Sequence, residues 1–205
     1  MVSRHLASGV AAGVLIGIGG AAYLACDSRY AGAALFTVGL LSVCLLGLSL
    51  FTGKVGFIVP DHRKESVRAL LLCLPGNLIG AAATGLAISA ATPARGEKAL
   101  EICAAKLALP FMPAFILAVF CGVLMYLAVA IYREKESLLG VLFAVPAFIL
   151  SGFEHSVADM FYFAAAGIVS GRAFLFILVV LLGNAAGGML LPALRILAAE
   201  VRQNA

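Results

Sequence analysis

The stretch Ser151-Gly152-Phe153-Glu154-His155-Ser156-Val157-Ala158-Asp159-Met160 interrupts an apolar run that begins at Leu138. Glu154, His155 and Asp159 are the ionisable groups well inside such a run. Charged groups at membrane depth cost about 2.5–3.5 kcal/mol each on insertion scales, so they face a bundle interior or a water path. Unpaired backbone at that depth is tolerated where it is buried in protein or lines a cavity. The segment therefore reads as a broken membrane helix beside a pathway. Histidine changes charge near neutral pH, which makes His155 the first candidate for a functional group. Glu154 points off another face and reads as a structural acid that satisfies freed N–H groups or pairs with a neighbouring helix.

The rest of the chain agrees. Of 205 residues, 63% are hydrophobic and 12% charged, with mean hydropathy +1.12. A soluble domain carries about 25% charged residues, so a soluble enzyme and a disordered tail are excluded. Six apolar spans follow: Leu6 to Cys26, Ala31 to about Leu50, Ala69 to about Ala91, about Ile102 to Tyr132, a fifth from Leu138, and Ala173 to about Leu197. Thr92 to about Glu101 reads as a loop. The first run has no cleavage-like site after it and reads as a retained helix. The expected fold is an all-α integral membrane protein, one six-helix domain over residues 1–205.

Gly76-Asn77-Leu78-Ile79-Gly80 in the third span recurs as Gly183-Asn184-Ala185-Ala186-Gly187 in the sixth. Each copy closes a three-span half, about 1–95 and 96–205. Three spans is odd, so the halves enter the membrane from opposite sides, an inverted 3+3 repeat. The alternative is two chance packing motifs of the GxxxG kind. The second and fifth spans are then repeat mates, and both look broken, at Leu50-Phe51-Thr52-Gly53 and at the Glu154-His155 segment.

With six spans, Arg4, Lys54, Arg63, Lys64, Arg68, Arg133, Lys135, Arg195 and Arg202 share one side. Arg29, Arg95, Lys98, Lys106 and Arg172 share the other. Nine against five puts both termini in the cytoplasm and the chain in the inner (plasma) membrane. The net charge of +4 needs no nucleic acid to explain it. Cys26, Cys44, Cys73, Cys103 and Cys121 show no CxxC spacing, so no disulfide or metal framework is expected. HExxH, GxSxG and phosphate-loop motifs are missing, and His5 and His62 lie at the surface. No metal, cofactor or enzymatic activity is expected.

The Gly152–Met160 stretch resembles the formate/nitrite transporter family, in which GFEHS followed by a small residue, Asn and Met is typical. Leu50-Phe51-Thr52-Gly53 resembles that family's second-helix break. The two Gly-Asn pairs resemble its third- and sixth-helix motifs, and Tyr126-Leu127-Ala128-Val129 the end of its fourth helix. The resemblance covers essentially the whole chain. It implies an aquaporin-like fold, a homopentamer in lipid, and a pore in each protomer for small monovalent anions.

By the same resemblance, the substrate pore takes His155, Thr52 and the vestibule lysine Lys106, which would draw anions inward. The outer constriction takes Phe36 and Phe148, the inner one Leu40, Leu50 and Phe51. Glu154, Asp159, Asn77 and Asn184 are buried polar groups of structural role. Without the family, Lys106 reads first as a lysine snorkelling at the interface. Two residues depart from the pattern. Gly122 follows Cys121 where an asparagine is usual, which implies a missing pore hydrogen bond, filled by water or leaving a wider pore. Asp159 stands where asparagine is usual and needs a partner or a proton.

The expected activity is passage of a small weak-acid anion, formate first, with a protonated His155 sharing its proton with the substrate. Nitrite and hydrosulfide fit the same residues. A channel for water or a small neutral solute and a non-transporting scaffold are the readings from other classes.

Overall fold

The computed structural model describes residues 2–203, with side chains to residue 201. Arg202, one of the cations counted above, lies outside the described side chains. All described elements are helical. They are α1 (Val2–Leu24), α2 (Arg29–Leu45), α3 (Phe51–Lys54), α4 (Lys64–Ala91), α5 (Pro93–Ala108), α6 (Phe111–Lys135), α7 (Leu139–Leu150), α8 (Ser156–Ala165) and α9 (Gly171–Gln203). A 3-10 turn, Val55–Ile58, continues α3. Helices α1, α4, α6 and α9 are long and apolar enough to cross a membrane; α2 and α7 are shorter apolar helices.

The two helix breaks repeat each other bond for bond. Helix α2 stops at Gly47 (φ +64°) and α7 at Gly152 (φ +69°). Glycine reaches this left-handed conformation without the Cβ penalty and ends helices there. The N–H of Leu48 then donates to Val43 O at 3.0 Å, and that of Phe153 to Phe148 O at 2.9 Å. After each break the chain runs extended through Leu50 or His155 and re-enters a helix.

The exposed polar backbone of each break is covered by one asparagine. Phe51 N–H donates to Asn77 Oδ1, and Asn77 Nδ2 donates to Ser49 O and Gly9 O, all at 2.9 Å. Ser156 N–H donates to Asn184 Oδ1 at 2.9 Å. Asn184 Nδ2 donates to Glu154 O at 2.8 Å and Ala118 O at 2.9 Å. The recurring Gly-Asn motif is thus a backbone clamp, because lipid offers no water to satisfy these groups. Its glycines carry the packing. A Cβ on Gly76 would strike α1 at Val10 N (2.8 Å), and one on Gly183 would strike α6 at Phe115 O (2.7 Å).

Two expectations are corrected. Thr92 to Glu101 is not a loop: α5 occupies Pro93–Ala108, with Pro93 at its start. Proline is pre-organised for the first helical turn. Gly96, Ala99 and Cys103 face inward while Glu97 and Glu101 stay outside and Lys98 reaches Leu24 O and Cys26 O, an amphipathic pattern that hydropathy alone reads as a loop. The fourth span is also not continuous from Ile102. It breaks at Leu109-Pro110, where Leu109 is extended (φ −70°, ψ 131°), as proline requires of the residue before it.

Gly122 is likewise a packing residue. Its Cβ position is filled by the Asn184 carbonyl and by Gly188 N at 2.8 Å, as that of Gly13 is filled by the Asn77 carbonyl and Ala81 N at 2.8 Å. It lines neither of the two cavities described below. The expectation of a water or a wider pore at this position is therefore corrected: α6 and α9 are in contact there.

Candidate pore and its two cavities

Helix breaks bring the polar groups of both halves to one level. Thr52 Oγ1 of α3 lies 2.9 Å from His155 Nε2, and both residues are buried. His155 also caps α8: Ala158 N–H donates to its Nδ1 at 3.1 Å. Since Nδ1 is the acceptor, the hydrogen-bond network assigns the ring proton to Nε2, which donates to Thr52 Oγ1. The hydroxyl hydrogen of Thr52 is left for another acceptor.

Cavities lie on either side of this pair. One, of about 140 Å³, is lined by Lys106, Glu154, His155, Asp159, Phe36, Phe148 and the tyrosines Tyr23 and Tyr162, among others. The other, of about 410 Å³, is lined by Leu40, Leu50, Lys54, Phe57, Asp61 and Arg133 among others. Phe36 and Phe148 meet edge to face with ring centroids 5.9 Å apart. Phe148 in turn stacks on His155 at 5.6 Å. Leu40 and Leu50 are each 1% exposed on the opposite side of the pair. Phe51 lines neither cavity; it packs with Val55, Leu70 and Cys73.

Lys106 lies in the last turn of α5, beside the Leu109-Pro110 break. Its Nζ pairs with Glu154 and lies 2.9 Å from Asp159 Oδ1. The three side chains are 15%, 7% and 1% exposed. Asp159, expected to need a partner or a proton, has Lys106 as an ionic partner, although neither of its oxygens receives an aligned hydrogen bond. The structure thus brings together Lys106, Glu154, Asp159 and His155 in one cavity, with Thr52 behind them. It keeps Asn77 and Asn184 outside, as clamps.

The sequence reading missed this ion-pair cluster. It also missed two arginines that close the ends of helix fragments. Arg29 donates to Ile149 O (3.2 Å) and Leu150 O (2.8 Å), and Arg172 to Leu107 O (2.7 Å). Cations at helix C-termini satisfy orphan carbonyls, and both arginines stand near breaks that proline or glycine announces.

Paired half-helices with a polar centre among apolar side chains are the architecture of a membrane channel fold. The sequence model of the formate/nitrite transporter family matches residues 1–198. The chain belongs to this family of integral membrane transporters. A probable formate transporter of Methanothermobacter thermautotrophicus is 31% identical over 195 residues, 78% of this chain and 71% of that protein. The uncharacterized transporter YrhG of Bacillus subtilis (strain 168) is 32% identical over 68% of this chain. The match takes in only 58% of YrhG's own length. The nitrite transporter NirC of Escherichia coli (strain K12) is 28% identical over 64% of this chain and 54% of NirC. Among solved structures, a pentameric formate channel with formate bound superposes with a TM-score of 0.82 at 25% identity, covering 98% of each chain.

Proposed function

We propose that the protein conducts small monovalent weak acids, formate foremost, from one cavity to the other past the His155–Thr52 pair. Interrupted spans α2–α3 and α7–α8 complete a six-span protomer in the plasma membrane, with both termini cytoplasmic and five protomers to an assembly. The observation that carries this reading is the arrangement at the centre. A hydrogen-bonded His155–Thr52 pair sits between Phe36–Phe148 and Leu40–Leu50. A bare anion meets a steep desolvation cost at such apolar rings, whereas its neutral acid does not.

The geometry favours one proton route over another. Protonating His155 at Nδ1 would set two N–H groups against each other, the ring's and that of Ala158. In our reading His155 stays neutral and holds Thr52, and the Thr52 hydroxyl donates to the passing molecule. The substrate acquires its proton from water within the cavity, before it passes the apolar ring, rather than from the imidazole. Lys106 is held between two carboxylates, so its part is to keep Glu154 and Asp159 buried and ordered at the pore lining.

Uptake of isotope-labelled formate into proteoliposomes, competed with nitrite and hydrosulfide, tests the substrate class. His155→Asn keeps a capping acceptor for Ala158 and tests the proton route. Uptake that rises at acid pH equally in wild type and variant supports the neutral-histidine reading. A profile flattened by the variant assigns proton donation to His155. No saturable uptake of any of these anions by folded protein refutes the function.

A further inference from the structure

We propose that Lys54 forms an anion-binding site in the larger cavity, on the opposite side of the His155–Thr52 pair from Lys106. The site takes the small monovalent anion before it is protonated, and the inference rests on the weak-acid reading above.

Charge balance distinguishes the two cavities. In the smaller one, a single ammonium faces two carboxylates, Glu154 and Asp159. It offers no unbalanced positive charge to an anion. In the larger cavity the cations are Lys54 and Arg133, and neither is ion-paired to a carboxylate among the described residues. Asp61, the acid on that lining, is already held by Arg63 at 2.7 and 2.9 Å and by Ser66 Oγ at 2.8 Å. Its negative charge is thus spent outside the cavity's cations.

Lys54 is also positioned. It ends α3 two residues after Thr52, with Ser49 and Leu50 across the break. Its Nζ donates to Ser49 Oγ at 2.9 Å, and Ser8 Oγ lies 3.1 Å from the same oxygen. An ammonium has three donors, so two remain for a ligand. Arg133 lies over the Phe57 ring, 4.3 Å from its centroid, which fixes the guanidinium on the same wall. A cleft whose lining is net positive, with apolar walls, concentrates anions. The anion so held rests against Leu40 and Leu50, one step from the central pair.

The test is binding and flux of [13C]formate with protein in lipid nanodiscs and proteoliposomes. Wild type shows saturable line broadening of the formate signal. Lys54→Met weakens that binding about tenfold and raises the half-saturation of flux by a similar factor, because one localised charge–anion contact is lost. Lys54→Arg restores both to within about threefold, and so separates lost charge from lost fold. Arg133→Met gives a smaller shift in the same direction. Unchanged binding and half-saturation in Lys54→Met, while wild-type flux persists, overturns the site and leaves the weak-acid reading standing. Absence of both flux and binding in wild type overturns the two together.

Discussion

Replacing Asn184 by leucine removes three hydrogen bonds at once and frees Ser156 N–H and Glu154 O, while Ala118 O keeps its bond within α6. Two magnitudes compete. If the two freed groups find no partner, each costs about 1–3 kcal/mol, or about 2–6 kcal/mol together. If the unfolded-in-membrane state also leaves them satisfied, membrane double-mutant cycles give about 0.6 kcal/mol per bond, or about 2 kcal/mol together. The structure favours the larger range for one reason. Glu154 O and Ser156 N–H flank a helix break, where no neighbouring carbonyl or amide can take over. The repeat supplies an internal control, since Asn77→Leu frees Phe51 N–H and Ser49 O in the same pattern, and Gly9 O keeps its bond within α1. Reversible unfolding by SDS in mixed micelles measures both. The expectation is a loss of at least about 3 kcal/mol for each variant, the two agreeing within about 1 kcal/mol. A loss below about 1 kcal/mol in either refutes the clamp role, because that is less than two ordinary membrane hydrogen bonds.

Other outcomes follow from the same geometry. Lys106→Met leaves Glu154 and Asp159 facing each other unpaired and destabilises the fold by about 3–5 kcal/mol; adding Asp159→Asn recovers part of it in the same unfolding assay. Gly122→Ala places a methyl against the Asn184 carbonyl and costs about 1–3 kcal/mol or more by forcing α6 from α9, whereas Gly171→Ala, which meets open space, costs little. Thr52→Val is isosteric and leaves His155 Nε2–H without its acceptor, so formate flux falls more than stability, which drops by about 1–3 kcal/mol. Asp61 accepts from Arg63 and Ser66, and these bonds hold its carboxyl well below the usual carboxylate range. A depressed carboxylate contributes stability above its unfolded value and loses it as pH falls through the folded one. The protection of the Ser66 amide, its exchange rate corrected for the intrinsic rate at each pH, is therefore the same at neutral and mildly acid pH and is lost only in strong acid.

Much of this was readable before the fold. The Gly-Asn pairs and the Glu154–Asp159 segment carry their own physics, since glycine at Gly152 ends a helix and a lone asparagine in an apolar run must satisfy something. Thr52 and His155 are each legible from a break, but their contact joins two halves of the chain and has no local sign. Helix α5 was hidden because hydropathy reports burial in lipid, not amphipathic order. The Lys106 cluster was half visible: two acids in an apolar segment demand a base, yet only the Leu109-Pro110 turn brings this one to them. Gly122 misled for the opposite reason. It was compared with a pore residue, while its repeat counterpart Gly13 already marks it as a contact between helices.

The central claim is that a weak acid crosses this protein, and internal pH tests it most directly. Proteoliposomes loaded with a pH-sensitive dye are given an inward formate gradient. The account predicts rapid internal acidification, matched proton for formate, undiminished when the membrane potential is clamped at zero and greatly slowed in Thr52→Val. Formate entry without acidification, driven instead by an inside-positive potential, would contradict it and show that the bare anion crosses the apolar rings.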